Sequence, residues 1–561
     1  MVRNFQTHKI RKCKELSSCL WDFQIMDGTM QGEIKQVYVP SCWENYPGTE
    51  AYRGKATYSR TFYAKGNIRL EFKGVSHTAT VLVDEKEVMH HYNAYTNFDV
   101  ILQNLQEGEH SLKVIADNSF GTQSALHVPN DYQSYGGISR PVVMEELQNV
   151  YIQWLHFTPV QKDNNWYGDL EIKICNLCMG EFYGYVEVNL EKDRIVQIPV
   201  QLKKGEEKIV KANDILCQNV ESWCPEKPNL YYVNAVLYNE DNRAQDDLIE
   251  RIGFREIRVE GTNVLLNGKK LFVKGFCRHE DHPQFGCALP QAAMQQDIML
   301  IKELGGNSVR TTHYPNDELF LDLCDEQGIL VWEENHARGL SEEDMRNPYF
   351  EQQCESCIRE MITSHYNHPC IYIWGILNEC ASHTEYGRMC YEKQYQLIKE
   401  LDKSRLRSSA SCQFKSDICF GYPEVVSYNV YPLWYHNTNP KEYIDGLYQW
   451  IQSETEGKGK PFYISEIGAG GIYGYRHPSK VKWTEEYQAE ALEKQIRAVF
   501  DCQYCGGIYI WQLFDTRVSD SWFATRPKTR NNKGIFDEYR RAKLSYDVVR
   551  NLYHSVGNYK K

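Results

Sequence analysis

The sequence predicts β-sandwich domains followed by a (β/α)8 barrel. Two observations carry that reading. Up to about residue 259, apolar and polar residues alternate with period two in short runs broken by Gly, Asn and Asp. Beyond residue 260, strand-like runs alternate with helical stretches, and eight strand candidates over roughly 300 residues match a (β/α)8 barrel. The 561 residues leave room for about three or four domains.

Residues 1–149 carry the alternating runs Ala56–Tyr63, Ile68–Phe72, Ala79–Val83 and Ser111–Ala116. Residues 150–259 continue with Leu170–Ile174, Tyr185–Leu190 and Tyr231–Tyr238. About 110 residues of short strands fit an immunoglobulin-like β-sandwich. Residues 260–561 form the barrel segment. Its expected strands are Lys270–Gly275, Asn307–Thr311, Ile329–Trp332, Ile371–Ile376, a weaker Ser408–Ser411, Val425–Asn429, Phe462–Ser465 and Gly507–Trp511. Helical patterns at Pro290–Leu304, Asp317–Glu326, Tyr349–Tyr366, Glu385–Leu401 and Glu485–Asp501 separate most of them.

A net charge of −12 argues against nucleic acid or an anionic membrane as partner. No run of about 18 apolar residues predicts a membrane span. The start, Met1-Val2-Arg3-Asn4-Phe5, lacks the apolar core of a signal peptide, so the 19 cysteines read as reduced thiols in a cytoplasmic protein. Of three CxxC pairs, Cys354/Cys357 and Cys502/Cys505 sit in helical patterns and Cys175/Cys178 stands alone. A zinc site needs converging pairs, so no metal is expected.

Two glutamates stand out. Glu379 follows Ile373-Trp-Gly-Ile-Leu-Asn, and Glu466 follows Phe462-Tyr-Ile-Ser. Each closes an apolar run that reads as a buried strand, where a carboxylate is out of character. Counting runs, they end the fourth and seventh strands, and barrel active sites lie at strand C-termini. Two carboxyls brought together there can hydrolyse a glycosidic bond.

The barrel motifs are Lys274-Gly-Phe-Cys-Arg-His-Glu-Asp281, Asn307-Ser-Val-Arg-Thr-Thr-His-Tyr-Pro315, Trp374-Gly-Ile-Leu-Asn-Glu379 and Ser465-Glu-Ile-Gly468. Taken together they resemble glycoside hydrolase family 2, whose order is a jelly-roll domain, an immunoglobulin-like domain and a (β/α)8 barrel. Within it the chain is most similar to bacterial β-glucuronidases. Asn531-Asn-Lys533 resembles their Asn-x-Lys signature for the sugar carboxylate. Asn429-Val-Tyr-Pro-Leu-Trp-Tyr435 resembles their aromatic loop, and Asp131 matches an acidic residue sent from their first domain. There are two departures. The stretch between the third strand and Asn367-His-Pro is too short for a long aglycone loop, which predicts an open entrance. Arg338 stands where an aliphatic residue is familiar, which brings galacturonides, the C4 epimers, into play.

The resemblance implies a retaining exo-enzyme with Glu379 as acid/base and Glu466 as nucleophile, no cofactor, and a homo-oligomer (dimer or tetramer). The negative charge of Glu466 is expected to help Glu379 keep its proton. Asn378 is expected at the sugar 2-hydroxyl, and His313 at a hydroxyl or at Glu466. Tyr431 or Tyr435 is expected to donate to the nucleophile, and Trp511 to floor the sugar site. Lys533 and Asn531 are expected to hold the uronate carboxylate, with Arg517, Arg526 and Arg530 as weaker candidates, and Asp131 to bond distal hydroxyls. His279, Glu280 and Asp281 look like a metal cluster, but contiguous side chains off a strand diverge, so hydrogen-bonding roles are expected. The competing readings are a neutral β-galactosidase or β-mannosidase, and a non-enzymatic carbohydrate-binding barrel.

Overall fold

The computed structural model describes residues 2–27, 32 and 34–559. An eight-stranded antiparallel sheet comes first. Its two longest strands, Lys55–Phe72 and Phe98–Asp117, pair along most of their length. The runs expected at Ala56–Tyr63 and Ile68–Phe72 are thus one strand. Gly66 makes a bulge in it rather than a turn, which bends the sheet without ending the ladder. Trp21, Phe23, Trp43, Tyr58 and Phe72 fill this first core.

Seven further strands form two packed sheets. Val150–Lys162, Asn165–Asn176 and Glu207–Cys217 make one; Asp193–Leu202, Phe182–Leu190, Tyr231–Asn239 and Ala244–Ile252 make the other. Phe157, Trp166, Val186 and Phe254 lie between them. Three strands on one side and four on the other are the immunoglobulin-type count.

The barrel strands are β1 (Val273–Arg278), β2 (Ser308–Thr311), β3 (Leu330–Glu334), β4 (Ile371–Gly375), β5 in two pieces (Leu406–Ser408 and Ala410–Ser411), β6 (Val426–Asn429), β7 (Phe462–Ile467) and β8 (Cys505–Ile510). All are parallel to their neighbours, and the ring runs from the first piece of β5 through β4, β3, β2, β1, β8, β7 and β6 to its second piece. The break at Ser409 explains the weak sequence signal there. The first strand starts three residues later than expected. Helices Gln291–Glu303, Glu318–Gln327, Phe350–His365, Glu385–Leu401 and Glu485–Phe500 lie where helical patterns occur. Pro440–Glu454 and Ser545–His554 are additional. Gly275 leaves room for Tyr509, whose ring would lie 2.3 Å from an added Cβ. Tyr509 bonds Ser308 and Tyr372 across the barrel interior.

The first domain reaches the barrel mouth through the segment 118–136. Arg140 pairs with Glu280 at 2.8 Å, and Tyr95 stacks on Tyr314 at 3.9 Å. Both contacts are buried, and losing one partner of such an ion pair costs about 3–5 kcal/mol. The first domain is thereby held against the tips of β1 and β2. No helix among the described residues is long and apolar enough to cross a membrane.

Candidate active site

A cleft of about 290 Å³ opens at the C-terminal ends of the barrel strands. Asp131, Arg338, Glu379, Tyr431, Tyr435, Glu466, Trp511 and Lys533 all line it. Asn378, His313 and Asn531 lie buried behind its walls. A larger cavity, about 670 Å³, lies where both β domains meet the barrel helices. Several of its charges pair with one another (Arg3–Glu318, Arg69–Asp99, Lys73–Glu71).

Glu466 is the penultimate residue of β7 rather than a residue beyond its tip. In register it sits beside Asn429 of β6. Both its oxygens are held: Arg310 Nη1 donates to Oε1 at 2.9 Å and Tyr431 OH donates to Oε2 at 2.6 Å. Arg310 also donates to Glu334 at 2.6 Å and to Asn378 Oδ1 at 2.7 Å. One fully buried guanidinium from β2 therefore ties β3, the segment after β4, and β7.

Glu379 lies four residues past β4 with φ 54°. Asn429 Nδ2 donates to its Oε1 at 3.0 Å, and Ser465 holds Asn429 through Oδ1 at 2.8 Å. Arg338 Nη2 lies 3.3 Å from Glu379 Oε2. Burial pushes the Glu466 carboxyl up to about 7, with the charge of Glu379 adding to it. The cation beside Glu379 is Arg338. Two coupled carboxyls sharing a site titrate as a pair.

Asn378 Nδ2 and His313 Nε2 are buried without a protein partner among the described residues. His313 Nδ1 lies 3.2 Å from Glu334, and Nε2 lies 3.9 Å from Glu466. Burial, reinforced by Arg310, holds this ring far below the ordinary imidazole range, so it is neutral. Its face stacks on Trp511 at 5.1 Å. Of the two candidate tyrosines, Tyr431 reaches the nucleophile. Tyr435 is 56% exposed at the rim.

Lys533 is only 3% exposed. Its Nζ lies 5.8, 5.6 and 5.4 Å from the ring centroids of Tyr431, Trp434 and Tyr435. No carboxylate among the described residues pairs with it. Asn531 is tied to the first domain, its Nδ2 donating to Asp131 at 3.0 Å. Asp131 is also gripped by Arg526 at 2.8 and 2.6 Å, so both its oxygens are engaged within the protein. Of the three weaker arginines, only Arg526 lines the cleft.

His279, Glu280 and Asp281 diverge. They meet Tyr314, Arg140 and Tyr135 respectively. The roles of Arg310 and Asn429 were missed. Both lie inside quoted motifs, and a cation in an all-buried strand was the available signal for the first.

Among known families, the glycosyl hydrolases family 2 TIM barrel domain matches residues 257–558, and a second family 2 model matches residues 150–255. The structure matches the GH2 β-galacturonidase of Eisenbergiella tayi bound to galacturonate with a TM-score of 0.99. The two are 65% identical, with 100% of each chain covered. The β-D-glucuronidase of Dictyoglomus thermophilum shares the fold at a TM-score of 0.84 and 24% identity, covering 100% of this chain and 99% of its own. Human β-glucuronidase is 25% identical, covering 98% of this chain and 92% of its own.

Proposed function

The chain belongs to glycosyl hydrolase family 2, and from that premise we propose a retaining exo-β-uronidase. It removes a terminal β-D-galacturonic acid, or its C4 epimer β-D-glucuronic acid, from a glycan or glycoconjugate. The observation that carries the substrate class is Lys533. A buried cation without a carboxylate partner is costly, and here it faces a cleft that already holds two reacting carboxyls. A uronate supplies the missing anion; a neutral galactoside or mannoside leaves the cation unmet.

In the proposed reaction Glu379 gives its proton to the glycosidic oxygen while Glu466 attacks the anomeric carbon. The C–O bond to the aglycone breaks and a glycosyl–Glu466 ester forms. With Glu466 esterified its charge is gone. Glu379, now ionised, takes a proton from water as that water attacks the anomeric carbon, releasing the sugar and both carboxyls. Arg310 and Tyr431 favour the ionised nucleophile by donating to it. Asn378 Nδ2 is a free donor for the 2-hydroxyl.

Arg338 reaches the cleft from beyond β3, and we assign it to the C4 side of the sugar, with galacturonide as the main substrate. The 65% identity to a galacturonidase supports that choice. We also place the enzyme in the cytoplasm, where a cysteine-rich chain with no disulfide among the described residues stays reduced. Parallel rates on p-nitrophenyl β-galacturonide, β-glucuronide and β-galactoside test the reading. The expected order is galacturonide, then glucuronide, with the galactoside far behind. Equal turnover of the galactoside would refute the uronate assignment.

A further inference from the structure

Arg338 is anchored by the other domain. Its Nη1 donates to Asn130 Oδ1 at 2.7 Å, the shortest contact its fork makes, while Nη2 lies 3.3 Å from Glu379. Asn130 belongs to the first β domain and is 4% exposed. Its backbone is pinned by the segment that follows β8: its N–H donates to Ser519 Oγ at 3.2 Å and its C=O accepts from Ser519 N–H at 3.1 Å. Its Oδ1 also accepts from the Asp131 N–H at 2.9 Å, which fixes the side-chain rotamer. The loop carrying Arg338 is itself tied to the acid/base segment, since Gly339 N–H donates to Asn378 O at 2.8 Å. A fixed acceptor from one domain and a carboxylate from the other therefore share one guanidinium.

We propose that Asn130 is a positioning residue: it holds one arm of Arg338 at the cleft wall, so that the other arm leaves Glu379 for the sugar when substrate enters. This rests on the uronidase reading and on Arg338 facing C4. Glu379 acts as an acid only when protonated, and a fully bidentate Arg338–Glu379 pair opposes protonation. Asn130 occupies one arm and prevents that pair from forming. A freely rotating arginine would settle on Glu379, hold it ionised and be absent from the sugar.

The charged and titratable groups facing Glu379 among the described residues are Arg338 after β3, Glu334 of β3, Cys380 beside Glu379 after β4, Glu466 of β7, Tyr431 after β6 and Cys412 after β5. Arg338 is the cation beside Glu379 at 3.3 Å, while Arg310 is held on Glu466, the other carboxyl of the pair, at 2.9 Å. Loss of Asn130 alters the first of these contacts and leaves the second in place, and the last proton the pair loses sets the alkaline limb of kcat/KM.

The test uses the full-length enzyme and its Asn130→Ala, Asn130→Asp and Arg338→Ala variants, each first checked for an unchanged unfolding temperature. Rates for galacturonide and glucuronide are measured from pH 4 to 9. Asn130→Ala should move the galacturonide-to-glucuronide ratio at least fivefold, in the direction set by Arg338→Ala, and shift the alkaline limb down by several tenths of a pH unit. Asn130→Asp keeps an acceptor at the same place. It should hold the ratio within twofold of wild type and move the limb up, because the added carboxylate competes with Glu379 for Arg338. A merely structural role slows both epimers alike and leaves the limb in place, and that result overturns the proposal. If Arg338→Ala shifts the ratio and Asn130→Ala does not, the positioning role alone fails. If the wild type cleaves neither epimer, the uronidase reading fails and this inference with it.

Discussion

Lys533→Met removes the charge and keeps the length of the side chain. Nζ has three aromatic rings near it and no paired carboxylate among the described residues. Its net value therefore appears only when an anion arrives. A hydrogen bond between charged groups contributes about 1.5–3 kcal/mol net. Two unit charges 4 Å apart at an effective dielectric near 20 interact by about 4 kcal/mol, which sets the ceiling. Taking about 2–4 kcal/mol as the loss, and tenfold per 1.36 kcal/mol, kcat/KM for either uronide should fall about 30- to 1000-fold. The β-galactoside brings no carboxylate, so its rate should hold or rise. Thermal stability should hold or rise as well, because a buried cation without a partner has been removed. Steady-state kinetics on the three p-nitrophenyl sugars and one melting curve are sufficient. A fall of less than threefold for the uronides means that the sugar carboxylate sits elsewhere in the cleft. An equal fall for uronide and galactoside means that Lys533 shapes the site rather than reading the substrate.

Glu466→Gln should retain at most a few per cent of wild-type turnover; more than that removes Glu466 as nucleophile. The same variant tests the raised carboxyl. With a folded value of about 7 against 4.5 when unfolded, the native state holds this proton more tightly. The stability this contributes is complete below pH 4.5 and is lost as pH rises through 7. The loss is about 3 kcal/mol at 1.36 kcal/mol per unit. Glutamine escapes that loss, so its advantage over wild type should grow from pH 5 to pH 8, and a constant gap in unfolding midpoints would contradict the burial argument. Tyr431→Phe deletes the 2.6 Å bond to Glu466 and should lower kcat/KM about 10- to 150-fold, whereas Tyr435→Phe should stay within about threefold; the reverse order would reassign the donor. Arg338→Ala should lower the galacturonide-to-glucuronide ratio, and an unshifted ratio would remove Arg338 from C4 selection.

The two glutamates were legible because a parallel strand buried on both faces tolerates no carboxylate without a reason, and that rule is local. The alternation of strands and helices was legible for the same cause. Pro440–Glu454 carried a local signal as well: Asn439 caps it through Oδ1 and Pro440 opens it. What escaped lies in partners rather than in residues. Tyr431 and Tyr435 share a loop, and only the fold of that loop decides which ring turns inward. Asn531 and Asp131 are 400 positions apart, and no spacing rule links a sandwich loop to the tail of a barrel. The same holds for Asn130 and Arg338. These pairings determine what the charges mean. Read singly, Lys533 is the first candidate for the sugar carboxylate, Arg526 a weaker one, and Arg338 a candidate for the C4 side. Once Asp131 has engaged Arg526 and Glu379 faces Arg338, two of the three already have anions, while Arg310 holds Glu466 from beneath. The cation left over is Lys533, and a substrate anion gains most where no protein anion has to be displaced.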